Sequence, residues 1–395
     1  MGMTKLEAKF RIVTPLFMGG AKPEIPELRV PGIKGALRFW WRAMAYRGLS
    51  GDLKTIRELE GQIFGSTKHG QSRAIMEISQ EKLEPNGDQF FRGRPGLMYL
   101  GYGPIEKGEL GREYLKPPID ATLRIYIRTN CNNGNNALGD SEVVNQISSA
   151  LKAMGLFGGL GSRSRRGFRS FNLSDLKRDG NSIFEQPSSV EDLKKRVREI
   201  LEGSDRHKEL PEYTAFGSET AVYIYHIEYA DPIESLNEIG KMMLQYRVGT
   251  GGHPSKFNSD TDLAKKALTM QVDRHPQRIF FGLPHNYHFP KRGQTGQTLE
   301  VRPISYNRNV SHDRRASPLF IHIHELKNRK YAVVATLMPA IFLPEGDKIL
   351  MKRQKKGKSG PESLGSEVQF DVEEGKSLKV IRDFLDSKWE TVIPA

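Results

Sequence analysis

The sequence predicts an α+β fold made of two ferredoxin-like (RRM-like) domains, the second elaborated by long loops, and three observations predict it. Apolar residues alternate with polar ones over residues 6–13 and 119–128, the period of a half-buried strand. Two other stretches, residues 33–47 and 143–154, space their apolar residues three and four apart, which is one face of a helix. With further strands expected at 72–79 and 167–173, the order over residues 6–173 is strand, helix, strand, strand, helix, strand. That βαββαβ succession builds an antiparallel sheet covered by two helices on one face.

Each element has its own justification. Leu6, Ala8, Phe10 and Ile12 alternate against Lys9 and Arg11, and Thr14-Pro15 ends the strand. After a Pro- and Gly-rich loop over residues 17–32, Ile33, Leu37, Trp40 and Met44 form one apolar stripe. In the strand 119–128, Ile119, Ala121, Leu123, Ile125 and Ile127 face one way, and Arg124, Tyr126 and Arg128 the other. The polar run 130–140 reads as a surface loop, and Val143, Ile147, Leu151 and Met154 mark the inner face of the second helix. The length of 395 residues exceeds what one core usually serves, so a first domain over 1–175 and a second over 176–395 are expected. In the second, a helix is expected at 189–202, a strand at 221–229, a helix at 232–246, strands at 278–283, 319–326 and 331–337, and a helix at 377–389. Residues 248–262, 285–300 and 352–367 read as long mobile segments, the last opening with a basic run, Lys352 to Lys358.

Composition narrows the partner. Lys and Arg number 60 against 47 Asp and Glu, a formal net charge of +13 with a pI near 9.6, which favours a polyanion. No run of about 18 apolar residues occurs, and the first six residues have neither the apolar core of a signal peptide nor a myristoylation pattern, so a soluble cytoplasmic protein without a membrane partner is expected. Cys131 is the sole cysteine, which excludes an internal disulfide and a thiolate-rich zinc site.

Residues 155–170 pack five glycines and four arginines into sixteen positions. Glycine lets the backbone approach a ligand and aim successive N–H groups at it, and guanidinium forks match phosphate oxygens. The expected ligand-holding residues there are Gly158, Gly159, Gly161, Arg163, Arg165, Arg166 and Arg169. On the first helix Lys34, Arg38 and Arg42 recur every four residues beside Trp41, a cationic edge with an indole on which a base can stack. Trp41 as a core residue is the competing reading, whereas Trp40 is assigned to the core.

The histidines suggest no enzyme of recognisable pattern. His322 and His324 share a strand face, and His285 and His288 lie three apart, but no third metal ligand has a known spacing. His253 sits in a glycine-rich loop and is the one candidate acid or base for metal-independent RNA cleavage. Neither a P-loop nor a dinucleotide-binding glycine pattern is present, so a small-molecule phosphate binder rests on the glycine loop alone.

Taken together, Thr14-Pro-Leu-Phe-Met-Gly-Gly20, Pro26-Glu-Leu-Arg29, the run Ile33 to Arg42 and Ile63-Phe-Gly-Ser66 resemble the RAMP superfamily. Within it they are similar to the amino-terminal half of the first-subunit family of the Cmr complex, the type III-B CRISPR effector. The glycine loop and Arg314-Arg-Ala-Ser-Pro-Leu-Phe320, after the loop 306–313, add to the resemblance. It is dense over residues 4–80 and 140–173, thin over 175–275, and recovers near 300–345. The resemblance implies an RNA-binding, non-catalytic subunit of an antiviral ribonucleoprotein, without cofactor. Its partners would be CRISPR guide RNA, held toward the 3′ portion, target single-stranded RNA, and the other Cmr subunits, which would carry the cleavage chemistry. A metal-independent RAMP-type endoribonuclease that processes guide precursors is the alternative.

Overall fold

The computed structural model describes residues 2–20, 22, 24–106, 108–129, 138–201, 209–226, 230–249, 254–269, 271–291, 294–305, 313–356, 361–372, 374–387 and 389–394. Cys131, His253, residues 306–312 and residues 357–360, the last including the end of the basic run, lie outside them. The chain groups into one unit of Met1–Lys241, Phe320–Met338 and Trp389–Ala395, and another of Met242–Leu319 and Pro339–Lys388.

In the first unit, β1 (Met3–Ile12), β2 (Ala74–Gln80), β3 (Ile119–Arg128), β4 (Phe171–Arg178) and β5 (Asn181–Glu185) form a sheet in the order β2-β3-β1-β4-β5. Neighbouring strands are antiparallel, with Phe10 opposite Ala121 on one side and Leu173 on the other. The expected alternation holds in β3, where Ile119, Leu123, Ile125 and Ile127 are buried. Helix α1 (Val30–Gly48) carries Pro31 in its first turn, where a missing N–H costs nothing, and packs with α4 (Asp140–Phe157) on the sheet. Between them lie α2 (Leu53–Phe64), capped by the Asp52 carboxylate accepting from the N–H groups of Lys54 and Thr55, and the short α3 (Pro95–Leu100).

The same unit holds α5 (Val190–Leu201) and a second sheet built from β6 (Ala221–His226), β9 (Leu319–Glu325), β10 (Tyr331–Leu337) and β13 (Glu390–Ile393). Its order is β9-β10-β6-β13, with α6 (Pro232–Val248) following its first strand in the chain. Counted along the chain, both sheets carry their first four strands in the order second, third, first, fourth. One hydrophobic cluster runs through both. Trp40 of α1 lies against Phe157 at 6.1 Å, Phe216 at 6.0 Å and Phe320 of β9 at 5.6 Å between ring centroids.

The second unit contains α7 (Asn258–Ala267), α8 (Glu374–Leu385) and a sheet of β7 (His285–Lys291), β8 (Gln294–Ile304), β11 (Lys348–Lys356) and β12 (Pro361–Phe370). Two expectations are corrected here. The strand expected at 278–283 is a 3-10 turn over Gln277–Phe281, in which Ile279, Phe280 and Phe281 are buried in succession. The segments 285–300 and 352–367, expected as mobile loops, contribute paired strands to a sheet that buries Leu299, Val301, Ile349 and Met351.

What positions the glycine loop is the outer edge of β9. Its alternate amides at Ile321, Ile323 and Glu325 donate to the Arg165 carbonyl (3.0 Å), the Ser170 hydroxyl (2.9 Å) and the Asn172 side-chain carbonyl (2.8 Å). Asn172 returns a bond to the Ile323 carbonyl at 3.1 Å. We therefore expect Asn172→Ala to lower stability by about 1–3 kcal/mol, since a buried amide loses its acceptor, as read from the urea midpoint. An unchanged midpoint would mean that water replaces the side chain at that edge.

Candidate nucleic-acid interface

The glycine loop starts where α4 stops. Gly158 caps the helix, its N–H donating to the Met154 carbonyl at 2.9 Å, and its own carbonyl accepts from the Phe171 N–H. A Cβ at Gly158 would lie 2.6 Å from the Trp40 indole nitrogen, and one at Gly159 would lie 2.7 Å from the Arg169 carbonyl. Both glycines are buried, so their missing side chains let the loop pack on its own protein. That corrects the expectation that they approach a ligand. Thr14 ties the far end down: its hydroxyl donates to the Gly167 carbonyl (2.8 Å) and accepts from the Ser170 N–H (3.0 Å).

Residues 161–166 are the outward part of the loop. Gly161 has φ +70° and is exposed, and Ser162 beside it is exposed too. Arg163, Arg165 and Arg166 are half-buried. The Arg165 guanidinium lies 4.6 Å from the Phe320 ring centroid and 5.8 Å from that of Phe39, and it donates to the Thr214 hydroxyl at 3.3 Å. Arg166 donates to the Tyr99 carbonyl at 3.5 Å.

Arg169 is a correction. It is fully buried and spends its guanidinium on the Leu160 carbonyl (3.2 Å) and the Ser162 hydroxyl (2.8 Å). Burial, then the like charges of Arg112 and Arg163, push its pKa well below the usual guanidinium range. A guanidinium so covered presents no open face to solvent.

Helix α1 gives a second correction. Trp41 is 2% exposed, packs edge-on against Phe64 of α2 at 6.1 Å, and donates its indole N–H to the Gln146 side-chain carbonyl at 2.9 Å. Such a ring is core and has no open face for a base. Arg38 and Arg42 both donate to one oxygen of Glu60 on α2, each at 2.7 Å, with their side chains about one-third exposed. They form an internal ion pair that leaves part of each guanidinium at the surface. Lys34 is half-buried, and burial, with Arg38 nearby, lowers its pKa.

Helix and loop adjoin. Phe39, the neighbour of Arg38, carries Arg165 on its ring, and Met18 packs against both Gly32 in the first turn of α1 and Gly161. The structure thus brings Lys34, Arg38 and Arg42 onto an element in contact with the loop bearing Arg163, Arg165 and Arg166. Residues missed in the sequence are Arg112 and Glu60 above all, the first in the segment between β2 and β3 and the second on α2, a helix the sequence reading did not assign.

The histidines fasten the loop. His322 Nδ1 lies 2.8 Å from the Gly158 carbonyl, and its Nε2 lies 3.1 Å from His324 Nδ1. A carbonyl only accepts, so His322 carries its proton on Nδ1 and accepts from His324 at Nε2. Both rings are buried. His288 bonds Thr298 at the surface and His285 sits edge-on to Tyr287. No group of three metal-ligating side chains occurs among the described residues, and none of their helices is long and apolar enough to cross a membrane.

Residues 9–171, which hold most of β1, the strands β2 and β3, the helices α1 and α4 and the glycine loop, match the RAMP superfamily model. In particular, the chain is 27% identical over 339 residues to the "CRISPR system Cmr subunit Cmr1-1" of Pyrococcus furiosus, covering 82% of this chain and 83% of that one. The apo crystal structure of Cmr1 from Pyrococcus furiosus is similar in fold, with a TM-score of 0.54 at 20% identity, covering 100% of this chain and 99% of that one. A chain of the type III-B Cmr-beta structure bound to cognate target RNA has a TM-score of 0.55 at 13% identity, covering 97% and 100%.

A pH dependence follows from the buried pair. Desolvation holds His322 down at about 4, against an ordinary 6.5, so the unfolded chain binds the proton first. Stability is full above about pH 6.5 and falls as pH drops toward 4. Thermal melts across that window should show the fall, and a smaller one in His322→Gln; equal falls would remove His322 from its cause.

Proposed function

We propose that the chain is a non-catalytic RNA-binding subunit of a type III-B CRISPR effector complex, contacting guide RNA toward its 3′ portion, target RNA, or both. The observation that carries this reading is the outward stretch 161–166: arginines on a loop whose base is bonded into β4 and β9, next to a helix edge with three further cations. A cationic ridge held in place by its own strands suits a polyanionic ligand that must be held. The similarity to a Cmr subunit over most of both chains supports the same reading, with the other subunits of such a complex as partners. The two equal strand orders support ferredoxin-like units within the proposed domains 1–175 and 176–395. On this reading the protein works in the cytoplasm without a cofactor, and target cleavage falls to partner subunits.

Of the expected contacts, Lys34, Arg38, Arg42, Gly161, Arg163, Arg165 and Arg166 remain, while Trp41, Gly158, Gly159 and Arg169 act as supports. Titrating the full chain with end-labelled single-stranded RNA over a salt series tests this. Affinity should fall by roughly 0.7 log units per log unit of salt for each phosphate contacted, and the RNA should stay intact. Replacing Lys34 and Arg166 together by Ala should reduce that slope. RNA cleavage by the purified chain would instead favour the endoribonuclease reading.

A further inference from the structure

The segment between β2 and β3 brings a further arginine to the glycine loop. Arg112 donates through Nη2 to the Ser162 hydroxyl at 2.6 Å, the same oxygen that Arg169 Nη2 reaches at 2.8 Å. Both guanidinium groups also lie over one ring, Phe17, at 5.7 Å and 5.5 Å from its centroid. Arg163 completes the group: its Nη2 would lie 2.5 Å from a Cβ at Gly103, a position with φ +107°. The backbone there favours glycine, and a side chain would meet that guanidinium.

Two cations therefore converge on one neutral oxygen, with the charge of Arg163 close enough to act on Arg169. No ion pair between described residues involves Arg112 or Arg169, and Arg169 keeps its buried Nε without a partner. A hydroxyl satisfies two donors but cancels no charge, so the cluster is stabilised by whatever anion enters it. With both lone pairs of Ser162 engaged, its own proton is left to donate. Exposed Gly161 and Ser162 give that anion a way in, and Tyr102, next to Gly103, is 62% exposed, a large aromatic side chain open to solvent.

We propose that Ser162, Arg112 and Arg163, backed by Arg169, seat one phosphodiester of single-stranded RNA, and that Tyr102 stacks the adjoining base. This rests on the RNA-binding reading above and adds a site from outside its expected residues. The seat chooses the phosphate, because forked donors fit its oxygens, and the ring adds affinity for any base.

The test is fluorescence anisotropy of the full chain with labelled single-stranded RNA over a salt series. Arg112→Gln should lower the salt slope by roughly 0.7, one phosphate's share, while Arg112→Lys should keep the slope and weaken binding. Tyr102→Ala should weaken binding roughly tenfold at every salt concentration with the slope unchanged. Should Arg112→Gln fail to fold by circular dichroism, Tyr102→Ala carries the test alone, since its side chain is exposed. Wild-type binding that neither variant alters overturns the seat and leaves the RNA reading standing. A wild-type chain that binds no RNA overturns both. Stabilisation of the chain by inorganic phosphate, with RNA unable to displace it, overturns the assignment to RNA.

Discussion

An edge strand offers every second amide to whatever lies beside it, and in β9 the three at Ile321, Ile323 and Glu325 are all taken by residues 165–172. Left unmade, each such buried bond would cost about 1–3 kcal/mol, so the second sheet cannot form its native edge without the loop in place. The dependence runs both ways. The loop has little regular structure of its own, and its carbonyls at Arg165 and Gly158 find their donors on β9, the second through His322. One strand thus makes a glycine-rich segment rigid enough to present cations in a fixed arrangement.

Charge on that loop is sorted by solvent access. Arg169 is wholly desolvated, a cost of several kcal/mol per ion that carbonyl and hydroxyl acceptors only partly offset. Arg165 meets a milder environment between two aromatic faces, and Arg38 and Arg42 share the carboxylate of Glu60. The shared carboxylate fixes two long side chains in place while half of their combined charge stays uncompensated. Glu60 therefore orders the basic edge of α1 without neutralising it.

Much of the first domain was legible because its elements obey simple periods. The alternation in β3 and the stripe Ile33, Leu37, Trp40, Met44 translate directly into buried faces. Trp41 was not legible, because α2 went unread. In that helix Leu53, Ile56, Ile63 and Phe64 keep helical spacing, but Glu60 interrupts the stripe as a buried counter-ion, and the charged composition reads as a turn. Asp52 at its N-cap was the signal available. Arg169 was out of reach for a different reason. Its burial is decided by Phe17, Leu160 and Ser162, and a run of arginines gives no sign of which one the fold will cover. The same holds for Arg112, which joins the loop across 50 residues of chain.

The central claim is that β9 holds residues 158–172 rigid so that 161–166 can meet RNA. Hydrogen exchange of the full chain, with and without single-stranded RNA, measures both halves at once. The account predicts slow exchange at Ile321, Ile323 and Glu325 in the unbound protein, and new protection on RNA binding concentrated at residues 161–166 and the first turns of α1. Fast exchange at those three amides, or RNA-induced protection confined to residues away from the loop and α1, would contradict it.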